Sequence, residues 1–311
     1  MSVPKLSVPA SGLGGRGYRN PFTGGIVPGV TSINDAIGKD GLINWHVEQT
    51  AAYCAANIDQ MLNRSEEEGF RYLQWYSRRL TPAKMDEVTA YNYSMGVLSD
   101  LAETGNFIHS YTESVRNEWP EEYPHEERLD LWQMIEAFHI WESEHTFKPV
   151  GTELTLFGDG YAGTADWIGE LDGEMTLGDD KTSRIIYDSH EAQLAALGAT
   201  HTWAREVPEG AEGAVYYKIV PSVAKHHGGQ VDSWWVEEPV PAFTQYGVLQ
   251  IRPDDLDRNG RPIPAFCEFH PIDPDLIDAG WDLFQAALAA RRAQKKRKDV
   301  LKRLKKEDED D

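Results

Sequence analysis

The sequence predicts an α/β fold in which a mixed central β-sheet is flanked by helices. Three observations predict it. Helical apolar periodicity dominates from Asn34 to His145. From Pro149 the pattern turns to strands, two of them flanking the turn pair Asp172-Gly173. Helical and strand-like runs then alternate up to a last helix. Helices first, then a hairpin, then a helix and more strands suit one α/β domain with a mixed sheet better than a regular doubly wound fold.

The elements follow in order. Residues 1–27 are rich in Gly, Pro and Ser and read as a flexible, disordered leader, with order beginning near Val30 and one domain over residues 28–290. Between Asn34 and Leu80, Trp45, Gln49 and Tyr53 share one helical face, as do Phe70, Leu73 and Tyr76. A second helical stretch runs from Asp86 to about Trp119, interrupted around Thr104–Asn106. A third, Glu126 to His145, spaces Leu129, Trp132, Ile135, Phe138 and Trp141 three apart. These stripes are core faces. Glu153–Phe157, Tyr161–Leu171 and Glu174–Lys181 read as strands, and Asp-Gly between the last two is a hairpin signal. Asp188 or Ser189 caps a helix to about Ala204, followed by a loop at His226–Gln230. Trp234–Val236 and Tyr246–Arg252 are strand-like. A final helix begins near Asp273, with Pro274 in its first turn, and runs into a charged helical tail, residues 291–311.

Composition narrows the function. Hydrophobic residues make up 41% of the 311, with ten Trp, so the bulk is globular. The N-terminus lacks an apolar run behind a basic start, and no run approaches 18 apolar residues, so neither a signal peptide nor a membrane span is expected and the reading is cytoplasmic. Cys54 and Cys267 alone make no disulfide framework and no four-cysteine site. The net charge of −21 speaks against a protein that coats DNA. Ten of the 30 basic residues lie between Arg291 and Lys306, leaving a net of about −25 on residues 1–290. The tail is basic around the whole helix. A solvated helix is its default reading, and a DNA- or partner-binding arm the sharper one.

The hairpin carries the chemistry. With a two-residue turn at 172–173, Asp166 falls opposite Asp179, where like charges repel. Lys181, two residues on, shares their face. One Asp-x-Lys tripeptide alone would be an acidic surface strand with an ion pair. Two opposed carboxylates beside an ammonium instead suggest a divalent cation, with Glu153 on the preceding strand as a third oxygen donor. A hard oxygen site suits Mg²⁺ or Mn²⁺, one or two ions, rather than Zn²⁺.

The run Glu153, Gly163-Thr164-Ala165-Asp166, Asp179-Asp180-Lys181-Thr182 and Gln193 resembles the core of RecB-type nucleases of the PD-(D/E)XK superfamily. Gly105-Asn106-Phe107-Ile108-His109 with Glu113 resembles their upstream helix motif. Val30-Thr31-Ser32-Ile33 is similar to the opening of phage-encoded members. The motifs stand in family order over about residues 30–255. The resemblance implies a restriction-endonuclease-like core. It makes His109, Asp166 and Asp179 metal ligands, with the Asp180 carbonyl an extra one and the Asp180 side chain facing away. It makes Lys181 the group that stabilises phosphate charge. Gln193 matches the first residue of a Q-x-x-x-Y helix motif, whose Tyr position is Leu197 here. The cysteines of iron–sulfur members are missing, so no such cluster is expected.

Other motifs carry less. His190-Glu191 does not extend to H-E-x-x-H, Gly38-Lys39 lacks the earlier Gly of a phosphate loop, and His226-His227 reads as a polar loop. The expected function is Mg²⁺- or Mn²⁺-dependent DNA hydrolysis, exonucleolytic, in phage or bacterial recombination or end processing, beside a separate helicase or recombinase and away from membranes. Trp234-Trp235 in a short strand reads as core before it reads as a base-stacking platform, and Trp167 or Trp235 could stack on the bases of a frayed strand. The alternative is a non-catalytic nucleic-acid or protein-binding module that keeps the fold.

Overall fold

The turn at Asp172-Gly173 organises the sheet. Both residues adopt positive φ, 50° and 94°, which the two-residue turn of a tight hairpin requires. The strands on either side pair antiparallel from Leu171↔Glu174 to Trp167↔Gly178, the register expected from the sequence.

The computed structural model describes residues 3–9, 15–35, 40–68, 90–257 and 259–310. The chain divides into two units, Met1–Gly38 with Asn106–Asp311, and Lys39–Gly105. The first holds β1 (Ser7–Pro9), β2 (Arg16–Arg19), β3 (Ile26–Pro28) and α1 (Val30–Asn34). The second holds α2 (Asp40–Ala56), α3 (Ile58–Glu68) and the start of α4 (Ala90–Arg116), whose residues from Asn106 on belong to the first. The first unit continues with α5 (Leu129–Glu144), β4 (Phe147–Gly158), β5 (Tyr161–Leu171), β6 (Glu174–Lys181) and α6 (Asp188–Gly198). After these come β7 (Thr202–Val207), β8 (Val215–Lys218), α7 (Pro221–Ala224), β9 (Asp232–Pro239) and β10 (Gln245–Arg252). The chain ends with β11 (Asp255–Leu256), β12 (Pro262–Ile263), β13 (Phe266–Pro271) and α8 (Pro274–Asp310).

Among the described residues, eight strands form the main sheet in the order β13-β10-β6-β5-β4-β7-β9-β8. β6 and β10 are parallel and the other pairs antiparallel, so the sheet is mixed, as expected. Strand alternation gives it two apolar faces. Ile168, Leu177 and Val248 pack with Leu194 and Leu197 of α6 and Phe284 and Leu288 of α8. Trp167, Leu249 and Ile251 pack on the other face with Ile108, Leu131, Phe138 and Trp141 of α4 and α5.

Four expectations need correction. Where a disordered leader was expected, its described residues form an antiparallel sheet of β1, β2 and β3. Leu6 and Tyr18 are buried against Phe157, Tyr217 and Trp235. Gly15 and Gly24 adopt the positive φ that turns require. Residues 28–290 are not one unit, because helical periodicity reveals an apolar face but not which core it joins. α4 runs unbroken through Thr104–Asn106. α6 ends at Gly198 rather than near Ala204, because Thr202–Val207 pairs with β4 and β9. Phe70, Leu73 and Tyr76 lie outside the described residues. The final helix starts at Pro274 and continues through the basic tail, as expected.

Candidate active site

The β5–β6 ladder stops where chemistry was expected. Asp166 and Asp179 come next in register, but beyond Trp167↔Gly178 the strands no longer pair. Instead the Asp180 amide donates to Asp166 Oδ2 at 2.9 Å. A side chain thus takes over a backbone hydrogen bond, and the gap admits groups from both helical layers. His109 of α4 puts Nδ1 3.3 Å from Asp166 Oδ2. Gln193 of α6 donates through Nε2 to Asp179 Oδ1 at 3.0 Å. Lys181 Nζ stands 2.5 Å from Asp179 Oδ2 and 3.2 Å from the Asp180 carbonyl, to which it donates.

Glu153 completes the rank. It lies between the pairs Thr152↔Trp167 and Leu154↔Ala165, hence level with Asp166 on the neighbouring strand. Its φ is 49°, a conformation that a residue with a side chain adopts at a cost on the order of 1 kcal/mol or more. Its Oε2 is shut off from solvent without a hydrogen-bond donor, whereas Asp179 Oδ2 is ion-paired with Lys181. Three carboxylates thus stand level on three adjacent strands, one of them, Glu153, with an orphaned buried oxygen.

The electrostatics follow. Burial, then Asp166, hold Asp179 protonated to about pH 7, although Lys181 opposes this. Burial, then Asp166 and Glu113, push Glu153 well above the ordinary carboxyl range. Burial lowers the Lys181 pKa, but the Asp179 and Asp166 charges more than offset it, so the group stays an ammonium. Burial lowers His109 despite Asp166, leaving its imidazole neutral and able to donate a lone pair.

Asp180 faces away, as the resemblance implied. Its carboxylate accepts from Arg116 Nη1 at 2.6 Å and Nη2 at 3.0 Å, Thr112 Oγ1 at 2.8 Å and Trp167 Nε1 at 2.8 Å. The Arg116 guanidinium also lies 5.2 Å from the Trp167 ring centre. This buried pair ties α4, and with it His109, to β6. Sequence reasoning missed Arg116; the signal was its position seven residues after His109, on the same helical face.

The base stacking expected of a tryptophan fails here. Trp167 is fully buried and holds Asp180, and Trp235 is buried in the core, so neither can stack on a base. Leu197 is core, so α6 offers no contact from that turn. His227 bonds the Val3 carbonyl through Nε2 at 2.5 Å, in keeping with the polar loop read from the sequence.

The donor types, carboxylates and a neutral imidazole, suit a hard cation, but Lys181 already occupies Asp179 Oδ2 and the Asp180 carbonyl, and the Asp180 amide occupies Asp166 Oδ2. Among the described residues, no three His, Cys, Asp or Glu side chains are already grouped closely enough to enclose an ion. Lys181 Nζ, against Asp179, supplies part of the positive charge there. No family model matches the chain, and no curated protein does. Among the described residues, no helix is long and apolar enough to cross a membrane.

Proposed function

We propose that the protein is a Mg²⁺- or Mn²⁺-dependent deoxyribonuclease of the PD-(D/E)XK type, acting from DNA ends in phage or bacterial recombination or end processing. The observation that carries the reading is the clustering of Asp166, Asp179, Glu153 and His109 beside an ammonium, with the buried Glu153 Oε2 left without a donor. Asp166, Asp179, His109 and the Asp180 carbonyl would hold the cation, with Glu153 a further oxygen donor. A bound ion supplies the acidity of the attacking water and neutralises phosphate charge.

The chain's own groups do the rest. Lys181, held protonated, stabilises the charge that gathers on the phosphate as the water oxygen bonds to phosphorus and the bridging P–O bond breaks. It also stands where it can orient the water, whose proton leaves as that bond forms. Gln193 fixes the Asp179 carboxylate. The Asp180–Arg116 pair holds β6 against α4, keeping His109 within reach of Asp166. End preference rests on charge: residues 1–290 carry a net of about −25, which opposes a continuous duplex lying across the body. We place the enzyme in the cytoplasm, beside a separate helicase or recombinase.

The test is incubation of linear duplex, linear single strand and closed circular DNA with Mg²⁺, Mn²⁺ or EDTA. Progressive loss of linear DNA with metal alone is expected. Absence of cleavage with either ion contradicts the reading, and opening of the circle at a comparable rate contradicts end preference only.

A further inference from the structure

Among the described residues, three cations act on the acidic cluster: Lys181 on Asp179, Arg116 on Glu113, and Arg16 on Glu153. Two are already engaged. Lys181 pairs with Asp179, and Arg116 is locked in its fork with Asp180. Arg16 is different, because its side chain is exposed, beside the Tyr18 hydroxyl, while its backbone is clamped. Its amide donates to Ser32 Oγ at 2.8 Å, that hydroxyl donates to the Arg16 carbonyl at 2.9 Å, and the Gly29 amide donates to the same carbonyl at 2.9 Å.

The geometry of β2 aims this residue at the site independently of charge. Tyr18, two residues on, shares the Arg16 face of the strand. Its hydroxyl lies 2.9 Å from Thr164 Oγ1, and Thr164 shares the Asp166 face of β5 by the same alternation. Arg16 thus stands at the rim of the carboxylate rank on a rigid strand. Arg291, where the basic part of α8 begins, donates to the Ser32 carbonyl at 2.5 Å, so the tail starts beside the same clamp. An exposed guanidinium next to an acidic pocket binds the ligand of that pocket when the ligand carries phosphates, since its planar fork matches phosphate oxygens.

We infer that Arg16 is a substrate-binding residue that holds a backbone phosphate of the nucleic acid next to the phosphate placed at Asp166 and Asp179. The inference rests on the nuclease reading for its ligand. It gives the N-terminal sheet a function: β1, β2 and β3 present one arginine to the substrate.

The experiment compares wild type, Arg16→Ala and Arg16→Lys. Affinity for a fluorescein-labelled single-stranded oligothymidine is measured by anisotropy with Ca²⁺ over a salt series, and cleavage kinetics are measured with Mn²⁺. Arg16→Ala should raise Kd and KM about 10- to 100-fold, the loss of a charge-assisted hydrogen bond, with kcat nearly unchanged. The slope of log affinity against log salt should flatten by about 0.7. Arg16→Lys should recover part of the affinity, keeping charge but not the fork. Unchanged Kd, KM and salt slope in a folded Arg16→Ala overturn the inference. If that variant does not fold, Arg16→Lys decides, and wild-type affinity in it is the overturning result. A wild type that binds the oligonucleotide without cutting it sinks the nuclease reading, while the Kd ratio still decides Arg16. A wild type that binds no oligonucleotide overturns both.

Discussion

Glu153 and Asp179 meet what physical chemistry ordinarily avoids, a carboxylate shut away from water beside other carboxylates, and Glu153 also sits in a strained backbone conformation. Such an arrangement persists where function selects it. Removing one charge should relieve it. In EDTA, Glu153→Gln should stabilise the protein by on the order of 1 kcal/mol, about one pKa unit of repulsion, while Mn²⁺ affinity by calorimetry falls. A less stable variant in EDTA contradicts the electrostatic account. His190 permits a pH test. Burial first, and then Lys181, depress its pKa to about 3. The unfolded chain therefore takes up a proton below about pH 6.5 that the folded chain refuses until about pH 3, so this group costs stability as pH falls through that window. Asp179, raised to about 7, acts oppositely. The folded state takes up its proton first, and stability is gained as pH falls from about 7 towards its unfolded value. Subtracting a variant separates the two effects. Wild type should lose stability relative to His190→Asn as pH falls below about 6.5, approaching about 1.4 kcal/mol per pH unit. Parallel pH curves from urea titrations would show that His190 is not held neutral.

At the scale of elements, the β5–β6 hairpin was legible as far as Trp167 and Gly178, because an Asp-Gly turn fixes register and strand alternation fixes faces. Asp166, Asp179 and Lys181 therefore came from the sequence with their correct neighbours. The parting of the strands beyond Trp167 did not, since it depends on Asp166 capping the Asp180 amide, a tertiary choice. The positive φ of Glu153 was equally hidden, although its place beside Asp166 was not. The stacking role expected of Trp167 failed because its indole N–H found a buried carboxylate partner. The strap between α4 and β6 gives a prediction at this scale. Arg116→Met leaves the Asp180 charge buried and unpaired and should cost about 3–5 kcal/mol. A double variant with Asp180→Leu should recover much of that stability, as measured by chemical denaturation. Equal instability of single and double variants would assign the loss to packing around Trp167 and Phe138 instead.

Across the whole molecule, glycine content misled where apolar alternation did not. Leu6, Val8 and Tyr18 marked a folded sheet inside a stretch whose composition suggested disorder, and the sheet brings Arg16 to the site. The charge division was legible from composition alone: an acidic body and a basic α8. Arg291 and Arg292 are docked on the Ser32 and Asp159 carbonyls, so a truncation after Arg292 removes basic residues without disturbing those contacts. It should weaken DNA binding and flatten its salt slope, by about 0.9 per lost duplex phosphate contact. An unchanged slope would assign the tail to a protein partner or to solvation.

The central claim, that Asp166 and Asp179 hold a cation for phosphodiester hydrolysis, is tested most directly by Asp179→Ala assayed on linear DNA with Mn²⁺. Removing a buried carboxylate from a crowded acidic rank leaves the fold intact, and circular dichroism and melting check this. The account predicts a folded protein with cleavage abolished. A folded Asp179→Ala that degrades linear DNA at the wild-type rate would contradict it.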